Sequence, residues 1–552
     1  MFVRTKKRDD KTYLMIVESK RVGARIEQIT LASLGRLDKL LQSGQLDALM
    51  TSLGRFSEKL AVLGAHERGE TLTAITRRIG PALVFERLWR ELGVGGVIRE
   101  LAEGRKFGFD LERAIFLTAL HRLFDPGSDR AAEKWKDAHA IDGAEPLALQ
   151  HLYRAMAWLG QPLPLAQQRA LSHGMPRCNK DRIEEELFAR RRDLLTTLDM
   201  VFFDTTSIYF EGRGGQEIGR RGKSKDHRPD LPQMVVGLVL DEEGWPLCCE
   251  LWPGNTADVK TLLPVAARLQ ARFGVRRICI VSDRGMISAP TIAALEAGVL
   301  DCDYILGARM RSNKEVREVV LADRSAYLEI HPERQRAKDP SPLQVKEVWV
   351  QKRRYVVCLN EEQRRKDAAD RQAIVAHLRQ QLPQGDKALV GNEGYRKYLQ
   401  TDRGRHFTID EAKVKEEAGY DGQWVLRTNR TEPPELIAAA YKQLWMVEES
   451  FRTMKSILET RPIYHKLDET IRGHVFCSFL ALLLKRGLEQ RLEQKGASWE
   501  WSEILRGLDN LQEVEAVFQG KRFVLRSQVI GEAHKACLAA GVALPPTLRE
   551  KG

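Results

Sequence analysis

The run Leu198-Asp-Met-Val-Phe-Phe203-Asp204-Thr-Thr-Ser-Ile-Tyr-Phe210 is short, β-branched and aromatic, as a buried strand should be, yet an aspartate sits in its middle. A second run of this kind, Arg277-Ile-Cys-Ile-Val-Ser282, ends at Asp283-Arg-Gly-Met. An acidic residue inside or just after an apolar strand is costly to bury without a cation or hydrogen bonds. Either aspartate alone reads equally well as a cap or turn residue. Their setting is more telling. Residues 198–307 alternate strand, strand, strand, helix, strand, helix, strand, which predicts an α/β domain built on a mixed sheet.

A third acidic position lies in Tyr441-Lys-Gln-Leu-Trp-Met-Val-Glu448-Glu-Ser-Phe-Arg452-Thr-Met-Lys455. Tyr441, Glu448 and Lys455 succeed one another at about two helical turns, so one continuous helix would stack them in a stripe. Arg452 falls one turn beyond Glu448 on the same side. Leu444, Val447, Phe451, Met454 and Leu458 form a neighbouring apolar stripe that would face a core. Glu448 is therefore expected at the edge of the buried face, with Glu449 pointing to solvent. Two strand aspartates and a helical glutamate make a hard oxygen set of the kind that holds Mg²⁺. Paired ions about 3.5–4 Å apart can activate a water or 3′-hydroxyl and stabilise the leaving oxygen of a phosphoryl transfer.

These features resemble the DDE transposases of bacterial insertion sequences, in the group with a Tyr-x2-Arg-x3-Glu-x6-Lys signature. Tyr441, Glu448 and Lys455 match at the right spacing, while the arginine position holds Leu444. Gly127-Ser-Asp-Arg-Ala-Ala-Glu-Lys-Trp135, Pro229-Asp-Leu-Pro-Gln233, Pro253-Gly-Asn-Thr-Ala-Asp258 and Ile471-Arg-Gly-His474 also look like the long branch of that family. The resemblance spans about residue 80 to about residue 485. It implies a ribonuclease-H-like core interrupted by an insertion that contacts bound DNA. Asp204, Asp283 and Glu448 would be catalytic and hold two Mg²⁺ ions, for which Mn²⁺ can substitute. Tyr441 and Lys455 would hold phosphate, with Arg452 a candidate for the missing arginine. Terminal inverted repeats and target DNA are the implied partners, and a homodimer would pair two ends.

Composition agrees without deciding. The chain has 552 residues, 43% of them hydrophobic, and a formal net charge of +12, a modest excess for a polyanionic partner. No apolar run reaches membrane-spanning length and the start shows no signal-peptide pattern, so a cytoplasmic, nucleoid-associated protein without a membrane partner is expected. Eight scattered cysteines show no zinc spacing and read as reduced, buried thiols.

Six regions are expected. Residues 1–74 hold a basic patch and a hairpin, Thr12–Glu18 with Ala24–Leu31, then a helix near 36–49. Residues 75–197 are a helical DNA-binding domain, and 198–307 the first part of the core. Residues 308–433 are a strand-rich insertion with a hairpin over Val345–Leu359, a polar helix Glu361–Gln381 and a return strand Gln423–Arg430. Residues 434–490 carry the glutamate helix and the helix after it, and 491–552 form a helical tail. Lys352, Arg353 and Arg354 are candidate phosphate contacts, although charge runs are more often solvated faces. The segment Gly212–Arg228 reads as a mobile loop gripping DNA backbone near Asp204 through Arg220, Arg221, Lys223 and Lys225, or else as a plain solvated loop. Asn255 and Asp258 read first as turn and cap before a helix Val259–Phe273. His465 and His474 receive no role.

The reaction expected is cleavage of the element's ends and joining of the 3′-hydroxyls to target DNA. A structure-selective nuclease, or a non-catalytic DNA-binding derivative, would carry the same fold.

Overall fold

In a computed structural model of the chain, the described residues are 2–22, 25–54, 73–168, 176–191, 198–275, 278–298, 300–336, 339–384, 397–401, 407–518 and 521–551. They divide into two units. The first unites the two ends of the chain, residues 1–80 with 506–534 and 543–552. In it β1 (Phe2–Arg8), β2 (Lys11–Val22) and β3 (Arg25–Arg36) form a three-stranded antiparallel sheet. The expected hairpin is β2–β3, and the basic start forms the strand β1. The helix expected near 36–49 is broken into Leu37–Gln42 and Gln45–Gly54. A further strand, β4 (Thr73–Arg78), opens the region expected to be helical.

The second unit, residues 81–505 with 535–542, holds the mixed sheet. Its strands are β5 (Met200–Tyr209), β6 (Gln233–Leu240), β7 (Pro246–Pro253), β8 (Ile278–Ser282), β9 (Cys302–Gly307), β10 (Leu328–His331), β11 (Leu343–Val350) and β12 (Arg353–Leu359). After the small hairpin β13 (Leu399–Thr401) and β14 (Phe407–Ile409), β15 (Gln423–Thr428) returns to it. The nine strands run in the order β10-β11-β12-β15-β9-β8-β5-β6-β7. Only β5–β8 and β8–β9 are parallel. The strand–helix order expected for 198–307 is the observed one. The insertion behaves differently from its expectation. Its β11–β12 hairpin and the Glu361–Gln381 helix form where expected, but β15 pairs antiparallel with β9 and carries the hairpin into the core sheet. Apolar alternation lets a strand extend whichever edge is open, so periodicity alone could not separate insertion from sheet.

Val201, Phe203, Ile278 and Ile280 of the central strands are buried with Leu262, Leu269 and Phe273 of helix Leu262–Phe273 and Ile292 and Leu295 of helix Ala289–Glu296. The long helix Asp468–Gln494 packs on Leu111–Phe124 and Leu149–Gly160. Glycines allow the closest approach. A Cβ on Gly473 would lie 2.0 Å from the Met156 carbonyl oxygen, and one on Gly160 2.0 Å from that of Glu469.

Helix Asn179–Arg191 joins the sheet through ions that its polar sequence does not announce. Lys180, Asp181, Glu184, Glu250, Arg268 and Arg272 are all buried. Arg272 reaches Asp181 at 3.2 Å, Glu184 at 2.5 Å and Glu250 at 2.8 Å, while the Lys180 ammonium donates to the Cys249 carbonyl at 2.7 Å.

The tail corrects its expectation. Besides helices Trp501–Asp509 and Glu532–Ala539 it supplies β16 (Gln512–Phe518), β17 (Lys521–Arg526) and β18 (Leu548–Lys551). In the first unit β16 pairs with β4, which no helical reading of residues 75–197 or 491–552 allowed.

Candidate active site

β5 and β8 run parallel with Phe203 opposite Ser282, and the Ser282 hydroxyl donates to the Phe203 carbonyl at 2.6 Å. The next residue on each strand is an aspartate, so Asp204 and Asp283 emerge side by side where β8 ends. Asp204 accepts a bond from the Thr205 N–H at 2.7 Å. Burial, helped by the charges of Asp283 and Asp258, pushes its carboxyl up to about 6 against the pull of Lys225. Two expected acids thus meet at one place.

Asp258 joins them. It was expected to cap the following helix; instead it sits in the short turn Asp258–Lys260, one residue before Thr261 caps that helix, and its side chain faces the strand. One oxygen accepts the Thr205 hydroxyl at 2.8 Å and the other lies 3.3 Å from the Lys225 ammonium. Lys225 also donates to the Thr205 carbonyl at 2.6 Å. The sequence signal was an aspartate between a strand and a helix, the same signal that singled out Asp283.

The glutamate segment departs from one continuous helix. Pro434–Lys442 ends, Trp445–Arg452 begins after a break, and Thr453–Ile457 winds as a wider π turn. Each irregularity rotates the residues beyond it, so Tyr441, Glu448 and Lys455 do not share a stripe. The apolar stripe survives, with Leu444, Val447, Phe451, Met454 and Leu458 all buried. The Tyr441 hydroxyl donates to Asp283 at 3.0 Å, and burial together with that carboxylate pushes its own pKa up. Glu448 is exposed, on a helix packed against β5 and β6, and the more sheltered carboxylate is Glu449, which pairs with Arg452 at 2.6 Å. Solvent reaches both carboxylates, so Glu448 does not lie at the buried edge as expected. Lys455 points to Asp226, at 2.7 Å. Among the described residues no three His, Cys, Asp or Glu converge closely enough to hold a metal ion. The donor chemistry still suits one: all carboxylate oxygens, with burial and the acidic neighbours holding the Asp204 carboxyl up despite Lys225.

The basic segment before β6 is held, not loose. A Cβ on Gly222 would lie 2.0 Å from the Gly254 carbonyl oxygen, and Asp468 accepts the N–H groups of Glu217 and Ile218 at 3.0 and 3.2 Å. Arg220, Arg221 and Lys223 remain exposed. In the insertion, Arg354 is buried on Glu347 at 2.8 Å and Arg353 pairs with Glu315 at 2.6 Å, which leaves Lys352 exposed at the hairpin turn.

The two unassigned histidines are structural. His474 contacts the buried Arg122 at 2.8 Å and the Thr460 carbonyl at 3.1 Å, and His465 lies 3.4 Å from Asp129. Burial lowers both, His465 to about 4, so they are neutral at pH 7. All eight cysteines are free and buried.

A family model for the transposase DDE domain matches residues 196–484, and one for the amino-terminal domain of IS1634 family transposases matches residues 2–67. No curated protein matches. Among solved structures, the chain resembles the piggyBac transposase in a synaptic complex with hairpin DNA at 10% identity, over 78% of this chain and 79% of that one, with a TM-score of 0.36. No helix among the described residues is long and apolar enough to cross a membrane. With the DDE domain spanning just over half of its length and the two aspartates following paired residues of adjoining parallel strands, the chain belongs to the DDE transposases and is a DNA transposase of the insertion-sequence type.

Proposed function

We propose that Asp204, Asp283 and Glu448 are the catalytic carboxylates of this transposase and hold its divalent ions, two Mg²⁺ for which Mn²⁺ can substitute. The observation that carries the reading is that Asp204, midway along β5, and Asp283, the residue after β8, each follow the paired residues Phe203 and Ser282, with the Asp204 carboxyl raised to about 6 by burial and by its acidic neighbours. Carboxylates that repel one another in a sheltered place are a site for cations. The ions, when bound, activate a water or 3′-hydroxyl and stabilise the leaving oxygen. Tyr441 fixes the orientation of Asp283 through its hydroxyl, and Glu448 lies on the helix that packs over β5 and β6. Lys225 and Lys455 bring positive charge to the side where DNA backbone must pass, and Arg220, Arg221 and Lys223 extend it. Positioning and charge stabilisation, rather than a protein nucleophile, supply the catalysis.

Residues 1–197, helped by the insertion, would read the terminal repeats, and two copies of the chain would pair the ends. The protein would act in the cytoplasm on the nucleoid. Purified protein is mixed with Mg²⁺ and a labelled duplex taken from the DNA bordering its own gene, alongside Asp204→Asn, Asp283→Asn and Glu448→Gln. Metal-dependent nicking at the repeat edge, then joining to a second DNA, with both steps lost in all three variants, is the expected result. Cleavage without joining would make it a nuclease, and undiminished cleavage by Asp204→Asn would remove the assigned site.

A further inference from the structure

Position 444, where the signature places an arginine, holds a leucine that is 6% exposed among core residues, so nothing there can meet DNA. Arg452, nominated in its place, is 69% exposed and spends its charge on Glu449 of the same helix. Another arginine is better placed. Arg461 reaches Asp226 at 2.6 Å, and Lys455 meets the same oxygen of that carboxylate at 2.7 Å. Side-chain exposure rises outward through the trio, from 3% for Asp226 to 12% for Lys455 and 29% for Arg461. The acid lies beneath, and the two cations cover it.

One carboxylate cannot neutralise two cations, so the trio keeps a net positive charge. An ammonium has three donors and a guanidinium five, and each cation gives one ion pair to Asp226, leaving donors for an outside acceptor. The second oxygen of Asp226 is buried and meets no donor among the described residues, so both ion pairs fall on the same oxygen. Both neighbours of the trio are anchored on β5. The Lys225 N–H donates to Ser207 at 2.7 Å, and Ile463 exchanges backbone bonds with Tyr209 and Glu211 at 3.2 and 3.0 Å. Ser207 is three residues beyond Asp204, about 10 Å along an extended strand. A phosphate held there would neighbour the reacting one on the same DNA strand.

We propose that Lys455 and Arg461, held on the buried carboxylate of Asp226, form a seat for a DNA backbone phosphate flanking the scissile one, and that Arg461 supplies the cation that position 444 lacks. Asp226 is a positioning residue: it touches no DNA and aims the two that do. The proposal rests on Asp204 marking the reaction centre, but its test does not need cleavage.

Binding of the bordering duplex is measured in EDTA over a range of salt for wild type, Arg461→Ala, Arg461→Lys and Asp226→Asn. Each phosphate contact contributes close to one unit to the slope of log affinity against log salt. Arg461→Ala should weaken binding by about tenfold and lower that slope by about one, with Arg461→Lys restoring the slope. Asp226→Asn keeps both cations, so its slope should stay at the wild-type value, while its Mg²⁺-dependent cleavage rate falls well below what its binding predicts. A wild-type slope for Arg461→Ala, or the same loss from Arg452→Ala, would overturn the seat. Equal losses of slope, affinity and melting temperature in Asp226→Asn would make that residue merely structural and overturn its positioning role. If Arg461→Ala behaves as expected while Asp204→Asn still cleaves, the seat stands and the catalytic assignment fails.

Discussion

Asp204 carries opposite consequences for folding and for chemistry. A carboxyl whose folded pKa is raised from 3.8 to about 6 binds its proton more tightly in the folded state. Its contribution therefore favours folding below about pH 4 and is lost as the pH rises through 6. In metal-free protein at pH 7.5 the charged form should cost roughly 1–3 kcal/mol, discounted for partial exposure. Asp204→Asn should then raise the metal-free melting temperature at pH 7.5 but not at pH 4, and Mg²⁺ should raise it in wild type while leaving the variant unmoved. Calorimetry at the two pH values checks both signs; a variant less stable than wild type at pH 7.5 would show that the aspartate is satisfied without an ion. Tyr441 makes a separable contribution. Tyr441→Phe removes one hydrogen bond to a charged acceptor, worth about 1.5–3 kcal/mol. It should lower the cleavage rate by about tenfold or more with DNA affinity in EDTA unchanged, read from the same gel and binding assays.

At the scale of elements, the ion cluster joining helix Asn179–Arg191 to β7 and helix Leu262–Phe273 is the feature whose loss should be felt most. Glu184 accepts from Arg272, Lys180 and the Cys249 N–H. Removing one partner leaves the others charged and buried, so Glu184→Ala should cost about 3–5 kcal/mol, whereas replacing a whole ion set by apolar residues can be neutral. Urea denaturation of the variant is the check, and a loss under about 1 kcal/mol would mean that water reaches the cluster. This cluster also marks where the sequence stopped being legible. Asn179-Lys-Asp-Arg-Ile-Glu-Glu-Glu is so polar that its pattern reads as a solvated helix, because a buried charge is recognisable only with its partner, and the partners lie some 70–90 residues away. The two strands that lead to Asp204 and Asp283 were legible for the converse reason: in Ile278-Cys-Ile-Val-Ser282 every residue is buried, and a continuous apolar run says so. The apolar stripe of the glutamate helix was readable from its 3.6-residue period. The break after Lys442 and the π turn at Thr453–Ile457 were not, since neither needs a proline or glycine to announce it, and across them Tyr441 meets Asp283 while Lys455 meets Asp226.

Within the first unit the two ends of the chain meet. β4 lies at the edge of its sheet with β16 as its one neighbour, and the N–H groups of Ile79 and Gly80 both donate to the Leu511 carbonyl, at 2.9 and 3.2 Å. Gly80 has no room for a side chain there, since a Cβ would lie 2.1 Å from the Leu508 carbonyl oxygen. A chain ended after Leu505 would leave β4 with unpaired backbone on both edges, and a lone strand is not stable in water. The nine-stranded sheet loses none of its strands by that cut, so the two units should respond differently. Limited proteolysis with mass mapping should show rapid cleavage around residues 73–78 in the truncated chain, with residues 200–307 as protected as in the full protein. Binding of the bordering duplex should fall as well if the amino-terminal region reads the repeats, because β4 is the segment that leads from that region into Gly80–Glu91. A truncated chain that resists proteolysis at 73–78 and binds normally would show that β4 is held from elsewhere. The carboxy-terminal strands would then serve some purpose other than completing the amino-terminal unit.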